Sequence, residues 1–408
     1  MKPERKISWN NELAISFLFF GPQVNYYIAS FLVINDFPTI TPLIYAVLYF
    51  IGLFSYLVTL RRKYALFTFM TFITLLLCSV LLNSEVKNYM LSDNFFTSSL
   101  PVLMSIYFPV FLLLLGRINF PKLMVYFKKL SIVTLIFSIL AFYGYLFIYR
   151  NTPPDYMSFA YMMLTPILVC FMNGWKENTI PFVLSLIGIF ITFIIGCRGA
   201  VVTIAVFFFL YILMFNVNSR KKNKLIINIV LLIVIAIVAI FAEEILTLID
   251  YVLKDIGFIS RTVNKLLTGG GAFIESEGRQ IVWKQALNSI SILGKGLFGD
   301  RTVIFDEYAR AVYAHNIILE FLVDFGWLIG FMVVCLLLSY IYRAYRISRK
   351  TKDTTLNVMV IIMMSILLVK HMISTSFLTS FDFWFYFGFA VNIVLNKKYY
   401  IKEYTIQK

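Results

Sequence analysis

Charge, histidine and cysteine are all scarce in this 408-residue chain, and each shortage removes a class of function. Charged residues make up 14% against 60% hydrophobic ones, a ratio that a soluble core cannot absorb. The two histidines and four cysteines (Cys78, Cys170, Cys197, Cys335) stand apart, with no CxxC, no HExxH and no Cys/His cluster. No metal site and no disulfide framework is expected from them, and the cysteines read as small apolar fillers. There is no GxxxxGK[ST] loop, because Gly294-Lys295-Gly296 lacks its spacing and its hydroxyl. Nor does a pair of aspartates sit in a soluble region to hold a metal and a nucleotide sugar. No cofactor is implied, and any substrate is expected to arrive in the membrane.

What the chain has in abundance is apolar sequence. A hydrocarbon layer of about 30 Å needs roughly 20 apolar residues per helix, and about twelve such runs are present. They fall at 13–33, 42–60, 64–82, 100–116, 130–149, 158–173, 180–195, 199–215, 225–248, 316–341, 354–372 and 380–396. The runs are continuous rather than alternating, which excludes a β-barrel. The expected fold is therefore an all-α polytopic membrane protein of about twelve transmembrane helices. A membrane bundle is expected over 1–248, a long extracytoplasmic loop over 249–315, and further spans with a tail over 316–408. Gly21-Pro22 lies inside the first run, where the missing proline donor predicts a kink. No internal repeat or low-complexity segment is evident.

The formal charge of +15 does not point to nucleic acid, because of where it sits. Basic clusters fill short hydrophilic breaks: Lys2/Arg5/Lys6, Arg61/Arg62/Lys63, Arg117 to Lys129, Arg220 to Lys224, Arg343 to Lys352 and Lys397/Lys398. These breaks alternate with others nearly free of Lys and Arg. That pattern places the clusters and both termini in the cytoplasm, and 249–315 on the outer side. The first apolar run lacks a small-residue cleavage site, so no cleavable signal peptide is expected.

Inside the long loop, Thr268 to Gly271 reads as a flexible joint. Ile281, Val282, Trp283, Ala286, Leu287 and Ile290 recur at helical spacing and predict an amphipathic helix over 279–291. Gly294, Gly296 and Gly299 end it. Val303, Ile304, Tyr308, Val312 and Tyr313 suggest a second short helix over 303–313. Both are expected on the outer membrane surface or over the bundle.

Few side chains here can do chemistry. Arg198 sits in the tight reversal Ile195-Gly196-Cys197-Arg198-Gly199-Ala200. Its planar fork suits phosphate, but an interfacial arginine also snorkels to water, and position alone favours that second role. Arg279 begins the loop helix, where it is either a solvated residue or half of an anion site. Arg261, Arg301 and Arg310 have less to single them out. His315 stands where the loop enters the tenth run. Its imidazole either accepts a proton near neutral pH or bonds the helix start. Asn316, Glu320 and Asp324 step by four and share one helix face. Two acids there should face the bundle or a wet cavity, with Lys370 and His371 as partners.

Taken together, Arg198-Gly199-Ala200, Gly278-Arg279-Gln280-Ile281-Val282-Trp283 and His315-Asn316-Ile317-Ile318-Leu319-Glu320 with Gly326 resemble the O-antigen ligase/polymerase superfamily. In layout the resemblance covers the whole chain, and in motif about 198–330. It implies metal-independent, inverting glycosyl transfer from an undecaprenyl-diphosphate-linked glycan at the outer face of a bacterial cytoplasmic membrane. Arg198 and Arg279 would clamp the diphosphate. His315 would take the acceptor proton, held by Asn316 or Glu320, with Trp283 and Asp324 also binding or orienting substrate. Expected partners are the lipid-linked glycans, the bilayer, and export components such as a flippase or chain-length regulator. Within the family, polymerisation of repeat units is the preferred activity and ligation to another acceptor the alternative. A transporter of the same lipid-linked units is the competing class.

Overall fold

A backbone in lipid finds no water to bond, so every apolar run must satisfy its own N–H and C=O groups as a helix. The computed structural model describes all residues except 1–8, 35–39, 93–94, 150–152, 154, 178, 216–241, 256, 259, 261–262, 265–266, 268–276, 306–311, 352 and 407–408. The described residues form helices joined by loops and turns and hold no strand. The first nine helices are α1 (Asn11–Ile34), α2 (Thr41–Thr59), α3 (Lys63–Leu82), α4 (Ser84–Met90), α5 (Phe95–Leu114), α6 (Phe120–Tyr149), α7 (Tyr156–Glu177), α8 (Thr179–Ile195) and α9 (Arg198–Phe215). After them come α10 (Ala242–Asp255), α11 (Glu277–Ser289), α12 (Asp300–Val303), α13 (Ile317–Thr351), α14 (Thr354–Ile373), α15 (Phe381–Leu395) and α16 (Lys397–Ile406).

Six of these, α2, α3, α5, α6, α13 and α14, are long and apolar enough to cross a membrane. The apolar parts of α7, α8, α9 and α15 are shorter. Each expected apolar run coincides with a helix except 225–248, most of which lies outside the described residues. Its end falls in α10, an amphipathic helix that continues past 248. Asp250 and Leu253 of α10 are buried, while Leu248, Tyr251 and Val252 are exposed. Arg261, Arg310, Thr268 to Gly271 and the basic clusters at 2–6 and 220–224 also lie outside the described residues. α1 continues through Pro22 as one helix.

The centre of the bundle is aromatic. α15 is buried along nearly its whole length and packs against α13 and α5. Phe19 of α1 meets Phe385 of α15 at 4.6 Å and Phe127 of α6 at 5.2 Å between ring centroids. Asn392 of α15 donates to the carbonyls of Leu114 (2.7 Å) and Gly116 (2.6 Å), satisfying backbone oxygens freed where α5 ends. At the periphery the polarity inverts. Leu43, Phe50, Leu53 and Leu57 of α2 and Phe67, Met70, Leu77 and Leu81 of α3 are all exposed. A contiguous apolar exterior of this kind suits lipid as its solvent.

Candidate functional site

The polar centre of the molecule is built around a break in α13. Gly326 interrupts the helix with φ 78° and ψ 166°, a conformation essentially reserved for glycine. In an unbroken helix the Trp327 N–H would bond the Val323 carbonyl. Here the Trp327 N–H donates to Ser291 O (2.9 Å), and Val323 O accepts from Lys295 N (2.9 Å). Gly296 N likewise donates to Asp324 O at 2.8 Å. The 291–296 segment is thus threaded into the break and supplies backbone partners in place of the missing intrahelical bonds.

The fit tolerates no side chain. A Cβ on Gly326 would lie 2.2 Å from Ile292 O, and one on Gly294 would lie 2.3 Å from Asp324 O. From the other side α3 clamps the segment. Asn83 Nδ2 donates to Lys295 O (2.9 Å), and Leu297 N donates to Ser79 Oγ (2.8 Å).

Anchored in this way, the chain delivers Asp300 and Arg301 to the acids of α13. Asp300, Glu320 and Asp324 are buried, and their ligating oxygens lie within 4.8 Å of one another. Asp300 N donates to Asp324 Oδ1 (2.9 Å), and Asp300 Oδ2 accepts from Ala314 N (3.1 Å). Glu320 accepts from the Ser376 hydroxyl and from Phe377 N (3.0 Å). Arg301 donates to Tyr89 Oη and Thr379 Oγ1, each at 3.4 Å, and lies 5.4 Å from the Tyr313 ring.

One guanidinium cannot offset three ionised carboxylates, and Asp300 Oδ1 and Asp324 Oδ2 have no hydrogen-bond partner. Burial pushes the Asp300 carboxyl up from its ordinary range, against the pull of Arg301 and its N–H donors. Such an oxygen-only set suits shared protons or a hard cation. No metal was expected here from the sequence, because the third acid comes from a different element.

His315 borders this cluster. Its backbone φ is 53°, and its ring lies 4.1 Å from that of Tyr313. Nδ1 is buried without a partner. Burial, then the charges of Arg279 and Arg301, push its pKa down to about 4. Both arginines therefore lie near the imidazole. Arg279 also lies within electrostatic range of Cys197 and Tyr161. Arg198 is half-buried and opens α9 directly after Cys197.

Several sequence expectations need correction. Asn316 does not hold His315. Its Oδ1 accepts from Ile318 N (3.0 Å) and Leu319 N (3.2 Å), capping α13, while Nδ2 donates to Met372 O (3.2 Å). Lys370 does not pair with the 316–324 face. It is buried against Asp382 of α15, under the Tyr161 ring at 5.1 Å. His371 Nδ1 and Thr375 Oγ1 share a hydrogen bond of 2.8 Å. Of the second expected helix, over 303–313, the described part departs from a helix, since α12 ends at Val303 and Ile304 is extended, while 306–311 lie outside the described residues. The Ile304 carbonyl instead accepts from Val312 N (3.0 Å).

Trp283, Ile281 and Leu287 of α11 are exposed, while Val282 and Ala286 pack on Ile304, Ala314 and Val323.

A cavity of about 180 Å³ opens beside the cluster, lined by Tyr107, Tyr161, Tyr313, Lys370, Ser376 and Thr379 among others. Among the described residues, non-glycine positive φ occurs at Phe298, His315 and Thr375. Phe298 is two residues before Asp300, and Thr375 is one before Ser376, so all three surround the same centre. Backbone strain held by its surroundings concentrates at functional sites. Sequence reasoning passed over Asp300, Arg301, Asp382 and the 374–380 turn. The available signals were Asp300-Arg301 at the end of a glycine run, and hydroxyls crowded between two apolar runs as Ser374-Thr375-Ser376 and Thr379-Ser380. Set against models of known protein families, curated proteins and solved structures, the chain matches none.

Proposed function

We propose that this chain is a glycosyltransferase of a bacterial cytoplasmic membrane. It would polymerise undecaprenyl-diphosphate-linked repeat units into a surface polysaccharide at the outer face. The observation that carries this reading is His315, whose buried Nδ1 has no hydrogen-bond partner and whose ring lies 4.1 Å from that of Tyr313, a residue on the wall of a polar cavity. In the reaction the acceptor hydroxyl oxygen attacks the anomeric carbon and the sugar–phosphate bond breaks. Undecaprenyl diphosphate leaves, and the hydroxyl proton passes to His315. Arg198 and Arg279 hold the diphosphate and stabilise the charge it gains, and the buried Arg301 adds to that field. A bound diphosphate would also offset the arginine charges that depress His315, raising its basicity when substrate is in place. On this reading the chain spans the membrane about twelve times, with both termini in the cytoplasm and the 249–315 loop outside. A flippase and a chain-length regulator would be its partners.

The broken helix α13 and the buried Lys370–Asp382 pair favour a second reading, transport of the same lipid-linked units. One experiment separates them. Wild type, His315→Ala and Arg279→Ala are expressed in a strain lacking this gene, membrane levels are matched, and the surface glycan is resolved by size. Collapse of long chains to a single repeat unit in both variants supports polymerisation. Long glycan accumulating on the lipid carrier indicates ligation to another acceptor. Full-length polymer from both variants removes the enzymatic reading and leaves transport.

A further inference from the structure

At the opposite end of α13 lies a second cavity, of about 460 Å³. Arg343, Arg346 and Lys350 of α13 line it together with Lys397 at the start of α16, and Tyr342 and Val394 add apolar wall. Among the described residues no carboxylate lines it. From Gly326 to Lys350 a helix rising about 1.5 Å per residue covers roughly 36 Å. That exceeds a hydrocarbon layer of about 30 Å, so this cavity and the polar centre belong to opposite membrane interfaces.

Leading to it is an exposed stripe of Leu328, Phe331, Cys335, Leu338 and Tyr342, spaced by three and four along one face of α13. Tyr342 belongs to both stripe and cavity. Its hydroxyl accepts from Arg346 Nη1 (3.1 Å), which fixes the guanidinium at the mouth. Four cations around one space repel each other until an anion enters, and the guanidinium forks suit phosphate oxygens.

We propose that this cavity binds the phosphodiester headgroup of an anionic phospholipid, with an acyl chain lying along the α13 stripe. The charge selects the headgroup, and the stripe selects a lipid over a free phosphate, since a soluble anion has no use for an apolar track. Clustered basic residues at a cytoplasmic interface recognise such lipids by these means.

The test uses the purified full chain in neutral detergent and native mass spectrometry. The probes are phosphatidylglycerol, phosphatidylcholine of the same chains, and glycerol 1-phosphate. Phosphatidylglycerol should stay bound where phosphatidylcholine does not. An Arg343→Gln/Arg346→Gln double variant should weaken retention by about thirtyfold, the effect of removing two interfacial charges. Arg61→Gln, a basic residue outside the cavity, should leave it unchanged. Monodispersity and melting temperature are checked for each variant, and Lys397→Gln replaces the double variant if that fails to fold. Equal retention of the two lipids, or full retention by the cavity variants, overturns the proposal. Displacement of the lipid by equimolar glycerol 1-phosphate would also overturn it, by showing a site for soluble phosphate.

Discussion

Gly326→Ala is the sharpest perturbation of the α13 break. The native φ of 78° with ψ 166° is open to glycine and strained for alanine, at about 1–3 kcal/mol. The new methyl would also stand 2.2 Å from Ile292 O and 2.6 Å from Gly294 N, both backbone atoms that cannot rotate aside. Relief requires withdrawing the 291–296 segment and losing the three backbone hydrogen bonds that cross the break. At about 1 kcal/mol each, these bring the loss to roughly 4–6 kcal/mol, a large part of the roughly 5–15 kcal/mol that holds a typical protein folded. The variant is expected to melt well below wild type in lipid nanodiscs. Amide exchange should accelerate first at Lys295, Gly296 and Trp327. Gly21→Ala serves as control, because the atoms nearest its methyl belong to the flexible Leu48 side chain rather than to backbone. If Gly326→Ala melts with Gly21→Ala and the three amides keep their protection, the threaded-break account is wrong.

Three further outcomes follow from the site. His315, with its pKa lowered to about 4, should remain neutral through mildly acidic pH in histidine-labelled NMR, and Arg279→Gln should raise its pKa toward 6.5. Because the folded state binds the proton less well than the unfolded chain, this group adds stability above about pH 6.5, at most about 3 kcal/mol. That contribution is lost as pH falls toward 4, and a melting series on wild type and His315→Gln reads it out. Lys370→Met should cost about 3–5 kcal/mol by leaving Asp382 buried without its partner. Lys370→Met/Asp382→Leu should recover most of that loss in a double-mutant cycle. Asn316→Ala should cost about 1–2 kcal/mol through the lost cap, Asn316→Ser should retain most of it, and neither should move the His315 titration.

Helix positions were legible because lipid solvation leaves one local signal, continuous apolar sequence, and nothing in tertiary packing overrides it. Boundaries near polar residues were less so. α6 starts at Phe120 rather than 130 because Asn119 caps it, its Oδ1 accepting from Lys122 N at 3.1 Å. At the site, Glu320 and Asp324 were legible from their four-residue step, since burial of that face follows from helix geometry alone. The partners of those acids were not. Ser376 and Phe377 reach Glu320 from another helix junction, and Asp300 reaches Asp324 through a loop, so the contacts depend on long-range topology. Lys370 shows the same limit. Two acids on α13 and Asp382 on α15 were all available to it, and only the rotation of α14 in the bundle selects Asp382. Of the expected helix over 303–313, the described residues Val303, Ile304 and Val312 serve packing on α11 and α13, and Ile304 O accepts from Val312 N.

The structure divides the work at the polar centre between backbone and side chains. Asp300, Glu320 and Asp324 receive backbone N–H donors, and α13 is held open by backbone bonds to a loop between glycines. Tethered in this way, they are framework. Arg279 and His315 stand at the edge of the frame, half-buried, and the His315 Nδ1 has no partner. Groups that reach solvent from a rigid surround are the ones that can meet a substrate without first breaking a contact, whereas the unpartnered oxygens of Asp300 and Asp324 are buried. Substitutions therefore separate by mechanism. Changes at Gly294, Gly326 or Asp300 remove stability and activity together, because they dismantle the frame. Changes at Arg279 or His315 should spare the fold and reach activity alone, and a variant pair that reversed this order would place the chemistry elsewhere in the bundle.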